Sequence, residues 1–315
     1  MKNILKKLLE ILGIKEKAIF VYVKLNELYF KIFLSSDSAK EKYIQKQFKE
    51  NIGYDMDFTR EPQTFNEKIQ FRKLYDNNPL YTICADKYKV REYVKEKIGE
   101  EYLIPLLLVT DKLTEEQWNK LPNQFVAKAN HNSGPVQIVK DKSKADKKKI
   151  IKELNNQLKL DYGILSQEKY YSDIPRKIIV EKLLKDKKRE MLQDIKTHCF
   201  NDGKRKRYFF DLCSRESVSS EVKSTLYDEN WNNLKVTNAI LDENEYKKPK
   251  NFEEILKVVK KLSEDFDCVR VDLYNINEKI YFGELTFCDA SGFGKFTDES
   301  WDYKLGSYWK QKKLK

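Results

Sequence analysis

Hydrophobic and polar positions divide the chain into a helical first part and a later part that is rich in strands. Residues 1 to about 60 repeat apolar positions at helical spacing, and residues 35–53 begin with Ser and close near Gly, which predicts a capped helix. Thr64 with Glu67 three residues later is the sequence signature of a capping box. We expect Pro79 to end the helix that starts there.

Beyond this region the pattern alternates between helices and strands. Residues 84–105 predict a helix that ends around Gly99 and then a short apolar strand, while residues 125–141 predict two strands joined by a loop. The β-branched run at 176–184 is typical of a buried strand, and residues 194–214 predict a hairpin that turns at Asp-Gly. An amphipathic helix then leads into a last hairpin, so the pattern indicates an α+β protein.

Two carboxylates interrupt this last hairpin, residues 269–287, whose strands are otherwise apolar enough to be buried. If the turn puts Asn275 opposite Lys279, then Arg270 lies opposite Glu284. Because side chains alternate along a strand, the remaining polar residues of both strands then fall on the same side. The sequence therefore predicts one polar face on an otherwise apolar hairpin.

The predicted polar face consists of Arg270, Asp272, Glu284 and Thr286. Two neighbouring carboxylates repel each other unless a cation lies between them, and all-oxygen ligation selects Mg²⁺ or Mn²⁺ held together with substrate phosphates. The alternative is a structural ion pair between Arg270 and Glu284, with Asp272 solvated. Phe282 indicates a buried face, which favours the metal.

A lysine leads into a loop of small and amide residues in the segment FVAKANHNSGP. Such a loop can direct backbone N–H groups towards phosphates, with Lys128 supplying a positive charge. The alternative is a plain hairpin turn with an exposed lysine. Glu181, after the β-branched run, is positioned to accept hydrogen bonds from a ribose or an adenine amino group, and the alternative for it is a solvated carboxylate at a strand end.

Composition and charge indicate a folded protein with an anionic partner. The 315 residues include 61 Lys and Arg against 50 Asp and Glu, and the net charge of +11 favours nucleotide phosphates, an acidic glycan, nucleic acid or an anionic membrane. Hydrophobic residues make up 40% of the chain, which argues against disorder. Five scattered cysteines without a C-x-x-C pair argue against a disulfide framework or a zinc site and fit a reducing cytosol.

The first residues, MKNILKKLLEILG, repeat apolar positions at helical spacing with lysines between them. We expect either a helix packed on the body of the protein or an amphipathic helix on a membrane surface. The longest apolar runs are too short to span a bilayer, and no cleavable signal follows Met1. The sequence therefore predicts a cytoplasmic protein, with peripheral contact with the inner face of the membrane as an open possibility.

Taken in order, these features resemble the ATP-grasp superfamily and, more closely, its TupA-like family of surface-polysaccharide gene clusters. The resemblance rests on KLYDNNPLYTICADKYKVREYV, LPNQFVAKANHNSG, VRVDLYNINEKIYFGELTF and SGFGKFTDESWDYKLGSYW, and it covers about residues 62–309. It implies an ATP-grasp fold in a catalytic domain at residues 61–315, with a small clamp subdomain at about 111–185 and a larger C-terminal subdomain. Residues 1–60 would form a helical extension.

The resemblance also implies binding residues for the cofactors ATP and Mg²⁺ or Mn²⁺. The residues expected to bind ATP are Lys87, Lys128, Ser133, Gly134, Glu181, Lys182 and Leu183. Asp272, Glu284 and Thr286 would hold the metal ion. The superfamily commonly has Asn where Thr286 stands, which puts this third contact in question.

Three residues are candidates for a catalytic role. The resemblance implies that Arg270 meets the developing charge of the transferred phosphate, and Lys196 and His131 are further candidates. His131 lies in the phosphate loop, whereas His198 has the surroundings of a strand residue. No Ser-His-Asp or Cys-His order is convincing, and positioning with charge neutralisation needs no nucleophilic side chain.

The function implied is ATP-dependent carboxylate–amine ligation through an acyl phosphate. The expected acceptor is an acidic sugar of a capsule or other surface polysaccharide, linked to a lipid or a nucleotide, and the second substrate is an amino acid or other small amine. Three alternatives stay open: an ATP-dependent kinase, a glycosyltransferase of the same pathway and, more distantly, a nucleic-acid-binding protein. The basic runs lack interleaved aromatic residues, which disfavours nucleic acid.

Overall fold

The computed structural model describes residues 15–186, 192–214 and 221–312. The helix predicted at residues 1–13 lies outside them. The helices in the described part are α1 Lys15–Phe33, α2 Asp37–Ile52, α3 Phe65–Tyr75, α4 Pro79–Ala85, α5 Val90–Lys97, α6 Glu115–Lys120, α7 Lys147–Gln157, α8 Tyr162–Ser166, α9 Phe252–Leu262 and α10 Ser300–Ser307. The strands are β1 Leu106–Thr110, β2 Phe125–Ala129, β3 Gln137–Val139, β4 Ile178–Lys182, β5 Asp194–Asn201, β6 Lys206–Ser214, β7 Lys223–Tyr227, β8 Ile240–Leu241, β9 Cys268–Ile276 and β10 Lys279–Thr286.

Two sheets organise the chain. A four-stranded antiparallel sheet has the order β1-β4-β2-β3, and a six-stranded sheet has the order β10-β9-β5-β6-β7-β8, in which β7 and β8 run parallel. Together with the helices, these sheets confirm the predicted α+β class. The four-stranded sheet spans residues 106–182, close to the range expected for the clamp subdomain. The predicted domain boundaries themselves stay predictions.

The predicted helix caps are present at α2 and α3. Ser36 caps α2, and Gly53, with a φ of 103°, ends this helix in the left-handed conformation. Thr64 Oγ1 accepts from the backbone N–H of Glu67 at 3.1 Å, and Glu67 Oε2 accepts from the N–H of Thr64 at 3.1 Å. These two bonds complete the expected capping box.

Two predicted helix boundaries are wrong. Pro79 begins α4 instead of ending α3, because the first turn of a helix does not use the N–H that proline lacks. The helix expected within residues 84–105 is interrupted at Asp86. Its Oδ1 accepts from the N–H of Tyr88 and from Nδ2 of Asn130, both at 2.8 Å. A short acidic side chain that bonds nearby backbone groups competes with the helix in this way.

The larger hydrophobic core joins α9 to the six-stranded sheet. α9 buries Phe252, Ile255 and Val259 at helical spacing, and Val271 and Leu273 of β9 belong to the same cluster. Since successive side chains of a strand point to opposite faces, the even-numbered neighbours of these two residues face away from α9. One face of β9 therefore packs in the core, and the other face carries polar residues.

A smaller core holds α6 and α7 on the four-stranded sheet. Trp118 of α6 packs edge-on against Phe125 of β2, with ring centroids 5.1 Å apart. Leu154 of α7 and Val180 of β4 belong to the same cluster. The two sheets therefore have separate hydrophobic cores.

Candidate active site

A cavity of about 790 Å³ is lined by residues of both sheets. Its charged lining residues are Lys87, Lys128, Lys140, Lys182, Lys185, Lys196 and Arg270, together with Glu181, Asp186, Asp194, Asp272 and Glu284. Among the described residues, seven cationic side chains against five carboxylates give the wall a net positive charge, which suits an anionic ligand. The volume falls in the range of about 300–1,000 Å³ that is usual for small-molecule and cofactor sites.

The turn of the β9–β10 hairpin differs from the predicted one. Asn277 and Glu278 form a two-residue turn with φ of 52° and 65°, so Ile276 pairs with Lys279. Turns with two positive φ angles match the twist of a hairpin. The predicted pairing of Asn275 with Lys279 is therefore wrong by one position. By itself this shift would move every side chain of one strand to the other face.

A β-bulge at Gly283 reverses the effect of that shift. The register changes just before Glu284, so Glu284 lies opposite Asp272 and Thr286 lies opposite Arg270. The predicted pairing of Arg270 with Glu284 is wrong. A Cβ at position 283 would lie 2.9 Å from the carbonyl oxygen of Asp272, so the bulge requires glycine. The predicted common face of the four polar residues is confirmed, because the bulge restores it.

Arg270 is the centre of this polar face. Its Nε and Nη2 donate to Oδ1 and Oδ2 of Asp272, each at 2.7 Å, and its Nη1 donates to Asp289. Nη2 also lies 3.4 Å from Glu284 Oε1 and 3.1 Å from Thr286 Oγ1. The ion pair between Arg270 and Glu284 that the structural alternative requires is therefore present. The solvated Asp272 of that alternative is not, because Asp272 is 8% exposed and paired.

Asp289 is a partner of Arg270 that sequence reasoning missed. It follows β10, and Asn238 Nδ2 donates to its Oδ2 at 2.9 Å. The next three residues, Ala290, Ser291 and Gly292, have left-handed φ angles of 45°, 53° and 71°. Non-glycine residues in this conformation cluster at functional sites. The polar run CDASG directly after an apolar strand was the signal available in the sequence.

The two carboxylates of the hairpin have pKa values shifted in opposite directions. Burial raises the pKa of Asp272 above its ordinary value, against the opposing effect of Arg270. Burial also acts to raise the pKa of Glu284, but Lys87 and Arg270 outweigh it and the net shift is downward. The Glu284 side chain is 39% exposed. It is therefore the carboxylate that presents a stable negative charge to the cavity.

Glu181 and Lys128 form an ion pair between β4 and β2. Lys128 Nζ lies 2.8 Å from Glu181 Oε2, and Arg91 Nη1 lies 3.4 Å from Oε1. Glu181 is 6% exposed, so the solvated strand-end alternative is wrong for it. The paired Lys128 is not the exposed lysine of a plain turn. Lys182 and Leu183 line the same cavity, and their contact with adenine stays a prediction.

Lys87 connects the predicted phosphate loop with the hairpin. Its Nζ donates to the carbonyl oxygen of Asn132 at 2.7 Å and lies 3.9 Å from Glu284 Oε2. Its backbone N–H donates to the carbonyl oxygen of Asn130 at 3.1 Å. Burial lowers the pKa of Lys87, against the opposing effect of Glu284. A buried ammonium group that is only partly compensated favours an anionic ligand.

The residues of the phosphate loop lie in two environments. Ser133 lines the cavity, and the N–H of Gly134 donates to Asn132 Oδ1 at 3.3 Å. His131 is fully buried, and its Nε2 lies 3.2 Å from the carbonyl oxygen of Leu160. Burial lowers the pKa of His131 to about 4. Among the described residues that line the cavity, His131 is not present. The structure therefore gives no support to a catalytic role for His131.

Lys196 lies next to the carboxylate pair in the sheet. In the register of the sheet, Lys196 lies opposite Asp272 of β9 and opposite Asp211 of β6. Its side chain lines the cavity. His198 lies in β5 opposite Arg270 and is buried, as expected for a strand residue. The register therefore brings Lys196 to the site, while its catalytic role stays a prediction.

The cavity wall fits ATP with a divalent cation. Mg²⁺ is commonly held by one or two carboxylates together with substrate phosphates, and Asp272 and Glu284 keep lone pairs besides those that Arg270 engages. Thr286 Oγ1 donates to Glu284 Oε1 at 3.2 Å, so it supports the pair. In the described part of the chain no group of three or more His, Cys, Asp or Glu could hold a metal ion. A metal ion held by the two carboxylates would take further oxygen ligands from the substrate phosphates.

Comparison with known proteins identifies a family for this chain. A family model described as TupA-like ATPgrasp matches residues 67–310. No curated protein matches the chain. Among solved structures, the chain is similar to a D-alanine–D-alanine ligase from Helicobacter pylori, with 16% identity over 73% of this chain and 62% of that chain and a TM-score of 0.38. It is also similar to N5-carboxyaminoimidazole ribonucleotide synthetase from Thermus thermophilus, with 9% identity, 67% and 47% coverage and a TM-score of 0.40.

A third solved structure is a D-alanine–D-alanine ligase from Bacillus anthracis complexed with ATP, at 18% identity, with 65% of this chain and 53% of that chain covered and a TM-score of 0.36. The chain therefore spans less than two thirds of the length of each of these proteins. Similarity at this level carries neither site geometry nor substrates across.

Proposed function

Because the chain belongs to the TupA-like ATP-grasp family, which its residues 67–310 match, we propose that it is an ATP- and Mg²⁺-dependent carboxylate–amine ligase. The ATP-grasp fold supports ATP-dependent ligation of this kind in general. The substrates that we propose are an acidic sugar of a surface or capsular polysaccharide and an amino acid or other small amine. The bond formed is an amide.

The observation that carries this proposal is the meeting of Lys87, Arg270 and Glu284 at one cavity. Lys87 Nζ and Arg270 Nη2 lie 3.9 Å and 3.4 Å from the two oxygens of Glu284. Such a group combines cations for phosphate oxygens with a carboxylate for a metal ion. Transfer of a phosphoryl group depends mainly on positioning and on neutralisation of phosphate charge.

The proposed reaction has two steps. The sugar carboxylate attacks the γ-phosphorus of ATP, the bond to the bridging oxygen breaks, and ADP leaves an acyl phosphate behind. The amine nitrogen then attacks the acyl carbon, inorganic phosphate leaves with the bonding electrons, and the nitrogen loses a proton. The products are an amide, ADP and phosphate. Neither step requires a side-chain nucleophile, because the two substrates supply both nucleophiles.

The residues divide the work of the first step. Lys87 and Lys128 would bind phosphate oxygens, and Arg270, oriented by Asp272, would face the charge that develops on the transferred group. Asp272 and Glu284 would hold Mg²⁺, which adds a concentrated positive charge at the phosphates when it is bound. The Glu284 pKa is shifted downward, so this carboxylate stays ionised for metal binding. Ser133 and Gly134 would close over the phosphates.

An acidic acceptor is supported by the charge of the remaining wall. Lys140, Lys185 and Lys196 line the cavity outside the residues assigned to ATP, and cationic side chains favour an anionic substrate. The polysaccharide pathway, and a lipid or nucleotide carrier for the sugar, are proposed from the family resemblance.

All five cysteines are buried and unpaired, which supports a reducing cytoplasmic location.

One assay separates ligation from phosphate transfer. The protein is incubated with ATP, Mg²⁺, a pool of uronic acids and hydroxylamine, and both ADP and hydroxamate are measured. The ligase releases ADP together with a hydroxamate, because hydroxylamine attacks an acyl phosphate. Glu284→Gln serves as the control that removes the proposed metal ligand. Replacing hydroxylamine with a pool of amino acids then identifies the amine.

A kinase gives a different result in the same assay. It would release ADP and leave a stable phosphorylated sugar without hydroxamate. A glycosyltransferase would leave ATP intact and consume a nucleotide sugar instead. Failure of the wild type to release ADP with any acceptor, in the presence of confirmed ATP binding, would contradict the proposed acceptor class and leave the ATP site standing.

A further inference from the structure

Helix α1 exposes a continuous apolar face to solvent. The apolar side chains of this helix that are at least 50% exposed are Ile19, Val21, Tyr22, Leu25, Leu28, Tyr29, Ile32 and Phe33. At about 100° per residue, all except Ile19 fall within an arc of about 140°. We call these seven residues the apolar arc. Patches of this kind on a folded protein mark contact with a partner or a membrane.

The opposite side of α1 packs on the protein through a charged cluster and through Phe30, whose ring centroid lies 5.2 Å from that of Tyr43. Glu27 is buried there, and its two oxygens pair with Lys31 at 2.8 Å and Lys24 at 2.9 Å. Glu27 Oε2 also accepts from the backbone N–H of Asp161 at 3.2 Å. A helix that only had to pack on the protein would bury its apolar side and expose its charges. α1 therefore leaves exposed seven apolar side chains that its packing on the protein does not use.

We propose that the apolar arc of α1 lies on the surface of an anionic lipid bilayer. Leu25, Leu28 and Ile32 would enter the boundary between headgroups and acyl chains. The two tyrosines of the arc suit the same depth, because a phenol ring has an apolar body and a polar end. In the described part of the chain no helix is long and apolar enough to cross a membrane, so the proposed contact is with the surface.

Charge favours a bilayer over a second copy of the chain. The net charge of +11 makes two copies repel each other and attracts an anionic surface. The apolar arc contains no carboxylate, and Glu27 on the opposite side is matched by two lysines. Residues 1–14, which directly precede α1, contain three lysines and one glutamate. The sequence next to the arc therefore adds positive charge.

Flotation with lipid vesicles tests this inference independently of the proposed reaction. The full chain is mixed with vesicles of phosphatidylcholine alone or of phosphatidylcholine with phosphatidylglycerol. The triple variant Leu25→Gln, Leu28→Gln, Ile32→Gln removes apolar area without changing charge. The matched control is Ile83→Gln, Leu107→Gln, Ile240→Gln, three side chains that are 43%, 40% and 43% exposed elsewhere on the protein.

We expect the wild type and the control to float with the anionic vesicles and to bind neutral vesicles more weakly. The triple variant should bind anionic vesicles about tenfold less tightly or worse, because three apolar side chains lose their burial. Added salt should weaken binding of the wild type. Absence of wild-type binding to either vesicle, or equal binding of the triple variant, would overturn the proposal.

A label on the arc distinguishes the occupants. Since the native cysteines are all buried, Leu25→Cys can be labelled with a fluorophore that responds to polarity, and Ile19→Cys, outside the arc, serves as the control. The Leu25 label should shift to the blue on addition of anionic vesicles, and the Ile19 label should shift less. The alternative occupant is a second copy of the chain. It would give a blue-shifted Leu25 label without lipid and a dimer by light scattering that the triple variant abolishes. That result would overturn the proposal.

Discussion

Arg270 donates two hydrogen bonds of 2.7 Å to the two carboxylate oxygens of Asp272, its neighbour two positions along β9. Residues at this spacing share a face of the strand, so the pair forms within one element. The bidentate contact fixes the plane of the guanidinium group. Although burial opposes it, the pairing with Asp272 and Asp289 raises the pKa of Arg270 well above its usual range. Arg270 is thereby oriented at the wall of the cavity by carboxylates of the protein itself.

Arg270→Gln should destabilise the protein by about 3–5 kcal/mol, because it leaves buried carboxylates without their cation. Asp272 and Asp289 are each 8% exposed. The measurement is the free energy of unfolding in urea, with Arg60→Gln, at an exposed arginine, as the control. A variant that unfolds at the same urea concentration as the wild type would show that the carboxylates do not depend on Arg270.

Gly283→Ala should misplace Glu284 and destabilise the hairpin by about 1–3 kcal/mol. The added Cβ would lie 2.9 Å from a backbone oxygen of Asp272, which cannot move aside like a side chain. We expect ATP binding to lose its dependence on Mg²⁺ together with this loss of stability. The comparison is Gly53→Ala, at a helix end with a φ of 103° and open space around the Cβ position. This variant should lose stability but keep the Mg²⁺ dependence of ATP binding. Retained Mg²⁺ dependence in Gly283→Ala would show that the bulge does not position Glu284.

His131 should make the protein less stable as the pH falls from about 6.5 to about 4. Burial lowers its pKa from 6.5 to about 4, so between these values the unfolded chain binds a proton that the folded protein does not. The stability present above pH 6.5 is then lost progressively on acidification, by roughly 3 kcal/mol at most. Urea unfolding of wild type and His131→Gln across this range measures the difference.

Between pH 6.5 and pH 4, the free energy of unfolding should fall more in the wild type than in His131→Gln. His131→Gln should also keep the wild-type rate of ADP release at pH 7, because the ring lies outside the cavity wall. A parallel pH dependence in both variants would contradict the burial of a neutral imidazole. Loss of ADP release in a fully folded His131→Gln would restore the catalytic assignment.

Lys87→Met should weaken ATP binding by about tenfold or more, since it removes a charge-assisted contact with phosphate. In the same variant, the backbone amides of residues 130–134 and 136 should exchange hydrogen faster, because Lys87 Nζ no longer donates to Asn132. Lys112→Met, at an exposed lysine outside the cavity, is the matched control. Titration calorimetry and hydrogen exchange provide the two readouts, and unchanged ATP affinity would remove Lys87 from the site.

Local signals in the sequence determine much of this fold. The capping box at Thr64 and the strands on either side of the phosphate loop follow from hydrogen-bonding side chains and from periodicity, and both are present. Pro79 begins a helix, whereas the sequence predicts that it ends one, because proline is compatible with both a helix end and a first turn. The interruption at Asp86 combines a local bond from the N–H of Tyr88 with a bond from Asn130, which is 44 residues away, and the local pattern indicates only the first.

The sequence predicts which polar residues share a face of the hairpin, but it does not predict how they pair. Alternation grouped Arg270 with Asp272 and Glu284, yet their pairing depends on a turn at Asn277 and a bulge at Gly283 that cancel in effect. The glycine inside a strand was the available sign of a bulge. Asp289 joins Arg270 through the path of the chain after β10, which no periodicity specifies.

The claim that Asp272 and Glu284 hold a metal ion for ATP is tested most directly by calorimetric titration of ATP with Mg²⁺ or with a chelator. We predict that the wild type binds ATP at least about tenfold more tightly with Mg²⁺. Glu284→Gln should lose this gain and keep the wild-type affinity measured in the chelator. Equal affinity of the wild type in both conditions, no binding in either, or a full Mg²⁺ effect in Glu284→Gln would contradict the account.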